Sequence, residues 1–407
     1  MSLRPIRGRR LLIGSGVALL VAVVLGIGYQ YCYLFGFPSA DMRYYVAGDL
    51  GGTNCRLILV QVAPGLKETV VAEKTYRSAE HAHLVAVLER FLVDSGASRG
   101  RHPTVACIAV AGPVTSNRFA QITNLNWTLD ADAIAAQLDI RDVFFLNDFV
   151  AIGYGLLALR PGDYLTINDV AGQTGAPIAC LGAGTGLGEV YLTHNGDEYD
   201  VWPSEGGHAD FPARTRTEFD LMEFVRRRAG IDRVSVERIV SGSGLPLIYD
   251  YFKDGHADLV SARVDADLSA SGADRAEIIA RHALQDTDVL CRRAFDTWLS
   301  AYGAEAGNMA LKTLCFGGLY IAGGIAPKVV SSFKTGDDLF WKALSSKGRM
   351  RDVLERIPVH VVTRPNVGML GAQLVCLRRF QRVLDHDDKD DDDPKLTADD
   401  ETNKTSL

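Results

Sequence analysis

The chain has 407 residues, of which 47% are hydrophobic and 23% charged, and its net charge is −7. This length allows one large domain or two medium ones, and the apolar content excludes a chain that is disordered throughout. The charge is uneven, since residues 1–43 carry +4 and residues 385–407 carry −7. The body between them is only mildly acidic, so no nucleic-acid partner is expected.

The first predicted element is an uncharged apolar stretch at residues 11–28, which follows Arg4, Arg7, Arg9 and Arg10. Eighteen such residues can span a bilayer as a helix, so we expect a hydrophobic membrane anchor. A cleavable signal peptide and a buried core helix are the alternatives. The arginines predict that the N-terminus is cytosolic and that the body lies across the membrane.

The body alternates strands and helices. "YYVAGDLGGTNCRLILVQV" predicts a strand, a hairpin turn and a strand, and "IACLGAGTGLGEVYLTH" repeats that design. Other strands are predicted in "TVACIAVAGPV", in residues 143–146, in "GGLYIAGGIAP" and in "PVHVVT". Helices are predicted in "HLVAVLERFLV", after residue 146, at about 276–312, near 339–342 and in "GMLGAQLVCLRRFQRVL". This order predicts an α/β protein with two similar lobes around a cleft.

The acidic segment at residues 385–407 contains almost no apolar side chains. It cannot bury a hydrophobic face, and we expect it to be disordered. The seven cysteines include no C-x-x-C pair, which favours buried free thiols over a zinc site or a disulfide framework.

The first glycine-rich turn, residues 49–54, contains the polar set Asp49, Gly51, Gly52, Thr53 and Asn54. Glycines let backbone N–H groups approach a phosphate, and the hydroxyl and amide can donate to its oxygens. Asp49 would repel a phosphate unless a cation lay between them, so we expect Mg²⁺ there, held through water.

The second turn, residues 184–186, contains Gly184, Thr185 and Gly186, and a third glycine pair, Gly323 and Gly324, follows a buried strand. Any one of these could be a plain β-turn, but three together favour a nucleotide site. They match neither the dinucleotide fingerprint nor a P-loop, because the residues after each hairpin turn continue as a strand and no G-x-x-x-x-G-K-[ST] occurs.

The ordered motifs "GDLGGTN", "NDF", "GAGTGLG", "SEGGH", "ERIVSGSGL" and "AGGI" resemble those of bacterial-type glucokinases. The resemblance covers about residues 44–384. It implies the two-lobed actin-like (ribonuclease-H-like) ATPase fold with a central cleft. It also implies ATP-dependent phosphorylation of D-glucose to glucose 6-phosphate, with Mg²⁺. The cysteine-rich zinc motif of related repressors and kinases is absent from the sequence.

A sugar kinase needs a carboxylate that accepts the proton of the attacking hydroxyl. The candidate is Asp148 in "LNDF", beside Asn147, which can hydrogen-bond a sugar hydroxyl. A helix N-cap would also explain an Asn-Asp pair at a strand-to-helix junction.

Sugar recognition requires several polar groups that converge on neighbouring hydroxyls. The resemblance assigns five positions to the glucose site: Asn147, Asp148, Glu205, His208 and Glu237. Asn124 is a further candidate, with a turn residue as the alternative. His208 has no second histidine or cysteine nearby that would favour a metal site instead.

The expected domains are a head at 1–43, a small lobe at 44–157 completed by 366–384, a large lobe at 158–365 and a tail at 385–407. ATP supply favours a membrane-anchored body that faces the cytosol, or a soluble cytoplasmic one without the head, against the topology that the arginines predict. A homodimer is compatible with the sequence. The rival functions are a kinase for another hexose or amino sugar and a membrane-tethered sugar sensor with little turnover.

Overall fold

The computed structural model of the protein describes residues 42–97, 100–333 and 338–391. The hydrophobic segment predicted to enter a membrane, residues 11–28, lies outside these ranges, as do residues 392–407 of the acidic tail. Among the helices of the three described ranges, none is both long and apolar enough to cross a membrane.

Fourteen strands are found within the described residues: β1 (Arg43–Leu50), β2 (Asn54–Ala63), β3 (Lys67–Arg77), β4 (Val105–Val110), β5 (Val114–Thr115), β6 (Phe119–Ile122), β7 (Trp127–Asp130), β8 (Asp142–Asn147), β9 (Tyr164–Asn168), β10 (Ile178–Ala183), β11 (Leu187–His194), β12 (Tyr199–Ser204), β13 (Gly318–Ala322) and β14 (Val359–Val362). Their alternation with helices is the pattern of an α/β protein.

The α-helices of the same ranges are α1 (Leu84–Asp94), α2 (Ala131–Leu138), α3 (Asp148–Leu156), α4 (Arg216–Ala229), α5 (Gly244–Gly255), α6 (Ala262–Ser269), α7 (Arg275–Leu284), α8 (Val289–Thr313), α9 (Leu339–Ser345), α10 (Arg351–Leu354) and α11 (Val367–Asp391). Short 3₁₀ turns join several of them.

Two sheets repeat one topology. The first has the order β3-β2-β1-β4-β8, and the second begins with the equivalent order β12-β11-β10-β13-β14 and adds β9 at its edge. In each, an antiparallel hairpin leads into two parallel strands. Both glycine-rich hairpins therefore occupy the same place in their sheets. A third, small sheet has the order β5-β6-β7.

The last helix returns to the first sheet. Met369, Ala372, Cys376 and Phe380 of α11 are buried in one cluster with side chains of β1, β4 and β8. The thiol of Cys376 donates a hydrogen bond to the carbonyl of Val46, 330 residues earlier in the chain. Helices α3 and α11 also lie very close together, because a Cβ on Gly371 would overlap the carbonyl oxygen of Ala151.

Two of the predicted helices have different limits in the structure. The single helix expected at 276–312 is two helices, because Asp286 adopts a positive φ of 53° and Asp288 then caps α8. Helix α11 continues to Asp391, seven residues into the tail that was predicted to be disordered. No proline or glycine occurs in that stretch before Pro394, so nothing in the backbone forces an earlier end.

Candidate active site

The first turn is a tight connection between β1 and β2. The N–H of Gly51 donates to the carbonyl of Asn54 at 2.9 Å, which closes the turn. Ser78, which is fully buried, supports it from below, since its Oγ donates to the carbonyl of Gly51 at 3.1 Å and its N–H donates to that of Thr53. Thr53 and Asn54 are exposed, so their side chains are available to a ligand.

Asp49 lies one residue before the last pair of this hairpin, opposite Arg56. Burial raises the pKa of its carboxyl, and only the nearby Arg56 guanidinium opposes that shift. An ionised carboxylate in this position is therefore short of compensating charge, which is the environment that a cation would relieve.

Cys55 follows the same turn, and oxidation of its thiol would disturb a phosphate site. Its side chain is fully buried, and burial raises the pKa of the thiol to about 12. Because the thiolate is the reactive form, Cys55 is an inert core residue in this structure.

The second turn connects β10 and β11 in the same way. The N–H of Gly184 donates to the carbonyl of Gly186, and the N–H of Gly242 donates to that of Gly184, both at 2.8 Å. Tyr302, buried in α8, accepts the N–H of Ala183 at 3.1 Å. These bonds fix the turn from two sides and leave Thr185 exposed.

A cavity of about 880 Å³ opens beside the second turn. Phe295 and Trp298 are large apolar side chains in its lining, and the lining also has two cations and two carboxylates: Arg281, Lys328, Asp274 and Glu277. Besides these it is lined by Gly184, Thr185, Ser241, Gly242, Ser243, Leu245, Ala276, Ala280, Leu284, Gln285, Gly324, Ile325 and Val329. The volume suits a nucleoside, and the adjoining turn suits its phosphates.

The third glycine pair belongs to the same region. Gly323 has a φ of +84°, and a Cβ there would stand 2.6 Å from the carbonyl oxygen of Ala183. Gly324 lines the cavity itself. The structure therefore brings the second and third glycine motifs together at one cavity.

Asp148 is the first residue of α3, directly after β8. Its neighbour Asn147 is the N-cap, because the Asn147 Oδ1 accepts the N–H groups of Phe149 and Val150. Capping thus explains Asn147, whose Nδ2 also donates to the carbonyl of Gly112. The Oδ1 of Asp148 accepts the N–H of Phe149 at 2.9 Å, which, within the part of the chain that the structure describes, leaves its other carboxyl oxygen without a bond to the helix start. Burial raises the pKa of the Asp148 carboxyl, and the negative charge of Asp49 raises it further.

The residue after Asp148 connects this helix to the second hairpin. A Cβ on Gly182 would stand 2.8 Å from the Phe149 Cζ, and one on Gly188 would overlap the Phe149 ring. The ring therefore fits between two glycines that flank the second turn. This contact sets the distance between the start of α3 and the phosphate-type turn.

Three of the sugar residues predicted from the sequence, Glu205, His208 and Glu237, lie together beside the second turn. We call residues 204–208 the acceptor loop. The imidazole of His208 lies 3.7 Å from Glu205 Oε2 and 3.9 Å from Glu237 Oε1. Glu205 is 90% exposed and Glu237 30%, so Glu205 is open to a ligand and Glu237 is partly enclosed.

Glu237 is not an ordinary solvated helix residue. Its Oε2 accepts the N–H of Leu187 at 2.9 Å, and a Cβ on Gly186 would overlap the same oxygen. One carboxylate therefore contacts both the second turn and His208. Asn124 lies in the 3₁₀ turn between β6 and β7 and approaches the first glycine-rich turn, since its Nδ2 would be 3.3 Å from a Cβ on Gly52.

Several residues that shape this region were not identified from the sequence. Ser78, Phe149, Tyr302 and Lys328 were not selected, because single residues inside ordinary strands and helices carry no local motif. Ser241 and Gly242 could have been found, since "VSGSG" is itself a glycine and serine turn.

Sequence comparison identifies the family to which this chain belongs. The family model for glucokinase matches residues 46–379. The chain belongs to the glucokinase family. The family recognised from the motifs is therefore confirmed. The glucokinase of Trichormus variabilis is 42% identical over 346 residues, which are 83% of this chain and 100% of that protein. The glucokinase of Synechocystis sp. is 40% identical over 348 residues, which are 82% and 97% of the two chains.

Solved structures confirm the α/β sugar-kinase fold. A glucokinase from an Antarctic psychrotroph superposes with a TM-score of 0.69 at 26% identity and covers 83% of this chain and 99% of its own. A glucokinase from Balamuthia mandrillaris, solved in complex with glucose, has a TM-score of 0.66 at 20% identity and covers 84% and 95%. At that identity the second likeness concerns the fold alone.

Proposed function

We propose that this member of the glucokinase family transfers the γ-phosphoryl group of ATP to the 6-hydroxyl of D-glucose, with Asp148 as the general base. The observation that carries the proposal is the position of Asp148. It is a half-buried carboxylate with a raised pKa that starts a helix whose next residue contacts the second turn. A base of raised pKa holds a proton more firmly, which favours its transfer from an alcohol.

The donor would lie in the 880 Å³ cavity with its phosphates at the two hairpin turns. In the first turn Gly52, Thr53 and Asn54 would supply N–H, hydroxyl and amide donors, and in the second Thr185 and Gly186 would do so. Gly51 and Gly184, whose own N–H groups close the turns, would let the backbone approach the phosphates. Gly323 and Gly324 would let adenosine approach the backbone. Donors fixed before the reaction stabilise developing charge without reorganising.

The acceptor would be held by Glu205, His208 and Glu237, with Asn147 and Asn124 as further contacts. A carboxylate accepts hydrogen bonds from sugar hydroxyls, while the amide and imidazole can donate. Glu237 would fix the sugar relative to the second turn, because it bonds Leu187 directly. Asp148 would accept the proton as the 6-hydroxyl oxygen attacks in line with the leaving group.

The carboxylate of Asp49 fits the requirements of a Mg²⁺ ligand. No group of three or more His, Cys, Asp or Glu that could hold a metal occurs among the described residues. Mg²⁺ in kinase sites needs only one or two carboxylates, because the phosphates and waters complete its octahedron. The under-compensated charge of Asp49 meets that requirement. When bound, the ion would spread the phosphate charge.

The deciding experiment follows glucose 6-phosphate formation by the wild type, Asp148→Asn and Asp130→Asn. Asp130 is a matched control because it caps α2 and does not line the 880 Å³ cavity, and asparagine also caps well. We expect kcat to fall by about 10² to 10⁴ in Asp148→Asn and to stay unchanged in Asp130→Asn. Wild-type protein that binds ATP but does not phosphorylate glucose would overturn the proposal.

Three narrower predictions accompany the proposal. The lobes at 44–157 with 366–384 and at 158–365 are our division of the chain, and attachment through residues 11–28 and a homodimer stay predictions. Membrane fractionation of the full chain beside one lacking residues 1–43 tests the attachment. Recovery of both proteins in the soluble fraction would contradict it.

A further inference from the structure

Glu189 is a buried carboxylic acid beneath the acceptor loop. It lies in β11, opposite Ser204 of β12, and is only 3% exposed. A Cβ on Gly206 would overlap Glu189 Oε2, so the backbone of the acceptor loop rests directly on this carboxyl group. Gly206 follows Glu205 directly and lies two residues before His208. Any movement of the Glu189 side chain must therefore displace both Glu205 and His208.

Glu189 faces a second buried acid. Glu305 of α8 is 2% exposed, and its negative charge acts on Glu189. Among the described residues, neither Glu189 Oε1 nor Glu305 Oε1 has a hydrogen-bond partner. The other oxygen of Glu305 accepts the Asn308 amide at 2.9 Å. Two buried carboxyl groups, each with one oxygen that accepts no hydrogen bond, provide a setting in which one of them holds a proton.

The other titratable groups that act on Glu189 come from α8 and β10. Lys312 lies 3.8 Å from Glu305 Oε1 and opposes the shift, while Tyr302 and Cys180 are neutral neighbours whose own pKa values Glu189 raises. Burial, with the charge of Glu305, raises the pKa of Glu189 to about 7. The group thus changes charge near neutrality, where an ordinary glutamate is fully ionised.

We propose that Glu189 is a positioning residue for glucose binding, which in its neutral form supports Gly206 and holds Glu205 and His208 in place. Its ionised form puts a second negative charge beside Glu305, and relief comes from moving the side chain or admitting water. Either response displaces Gly206. The inference rests on the proposed function, since it concerns the same acceptor site.

The sign of the effect follows from the direction of the shift. A carboxyl group whose pKa is raised in the folded protein favours the folded arrangement below its ordinary pKa. That contribution is lost as the pH rises through the folded value of about 7. Glucose affinity should therefore be highest on the acid side and fall between about pH 6 and 8. ATP affinity should not follow this profile.

The test measures the Kd of glucose by calorimetry from pH 5.5 to 8.5 in the wild type and in Glu189→Gln. We expect the wild-type Kd to rise about three- to tenfold across this range. Glu189→Gln cannot ionise, so its Kd should stay flat near the low-pH wild-type value. The two proteins share every other titratable group, so the difference between the profiles isolates Glu189.

Glu305→Gln sharpens the test, because it removes the repelling charge and offers an amide donor. Its profile should shift to lower pH, whereas a merely structural role for the pair would leave the midpoint unchanged. Superimposable profiles of the wild type and Glu189→Gln would overturn the inference. Failure of the proposed function looks different, since the wild type would then form no glucose 6-phosphate at any pH.

Discussion

The first and second turns have the same backbone arrangement, but the carboxylate beside each turn comes from a different part of the chain. Each joins the first two antiparallel strands of a sheet with the same strand order. One residue before the last strand pair, the first hairpin has Asp49 and the second has Gly182. Gly182 is instead contacted by Phe149, and the second turn receives its carboxylate, Glu237, from a distant segment.

This difference shows how two hairpins of the same arrangement can have different roles in one reaction. The carboxylate that belongs to the first hairpin suits that hairpin to a cation and the phosphates bound to it. A carboxylate brought to the second hairpin from a distant segment contacts His208 of the acceptor loop, so under the proposed function that turn would link both substrates. The experiments below test this division, beginning with the largest expected effect.

Asp49→Asn should disable the first hairpin while making the protein more stable. We expect kcat/KM for MgATP to fall by about 10² to 10³, because the variant loses the negative charge that would hold Mg²⁺ beside the phosphates. The melting temperature should rise by about 2–4 °C, since burial of an ionised carboxylate costs free energy. The gain should shrink as the pH falls, where wild-type Asp49 becomes protonated. A lower melting temperature at pH 8 would contradict the assignment.

Glu237→Ala should affect the second hairpin through glucose rather than ATP. The proposed hydrogen bonds from the sugar to Glu237 are lost, and hydrogen bonds to charged groups contribute about 1.5–3 kcal/mol, so KM for glucose should rise by about 10- to 100-fold. The N–H of Leu187 also loses its acceptor. Glu237→Gln keeps an acceptor oxygen and should show a smaller rise. Equal effects on the KM values of glucose and ATP would remove the distinction between the two hairpins.

Gly188→Ala should destabilise the contact between α3 and the second hairpin. The added methyl group overlaps the Phe149 ring, and overpacking of this kind costs about 1–3 kcal/mol in the free energy of unfolding. Gly184→Ala is the matched control, because no atom lies within 4 Å of the position of its Cβ. Denaturant unfolding of both variants measures the difference, and equal stabilities would show that the ring moves aside freely.

Lys328→Ala should give the smallest effect, on the donor side of the second hairpin. Lys328 is exposed at the lining of the cavity, where its charge can attract phosphate without being desolvated. KM for ATP should rise by about three- to tenfold at low salt and less at high salt, with KM for glucose unchanged. A change in glucose KM instead would place Lys328 on the acceptor side.

The sequence predicted those parts of the molecule that local chemistry determines. The two hairpins were predicted because glycines interrupt apolar strands, and the buried strands β4 and β13 because their apolar runs are continuous. The edge strands β3 and β12 were not predicted, since edge strands depend on their neighbours. The helices α4 to α6 were not predicted either, although α5 buries Leu245, Ile248 and Phe252 at helical spacing, a signal that the sequence does contain. The site residues were selected, but not the contacts that hold them. Glu237 bonds Leu187 fifty residues away, and no local pattern records that distance.

The return of α11 to the first sheet has a consequence for synthesis on the ribosome. Val46 is joined to Cys376 across 330 residues, so the sheet face around β1 stays uncovered until the chain is almost complete. At the usual elongation rates of about 5–20 residues per second, that delay is roughly 15 to 65 seconds. During this time the nascent chain exposes apolar strands to other nascent chains. We therefore expect shortened chains that end before α11 to aggregate or to require chaperones, even when both glycine-rich hairpins are present.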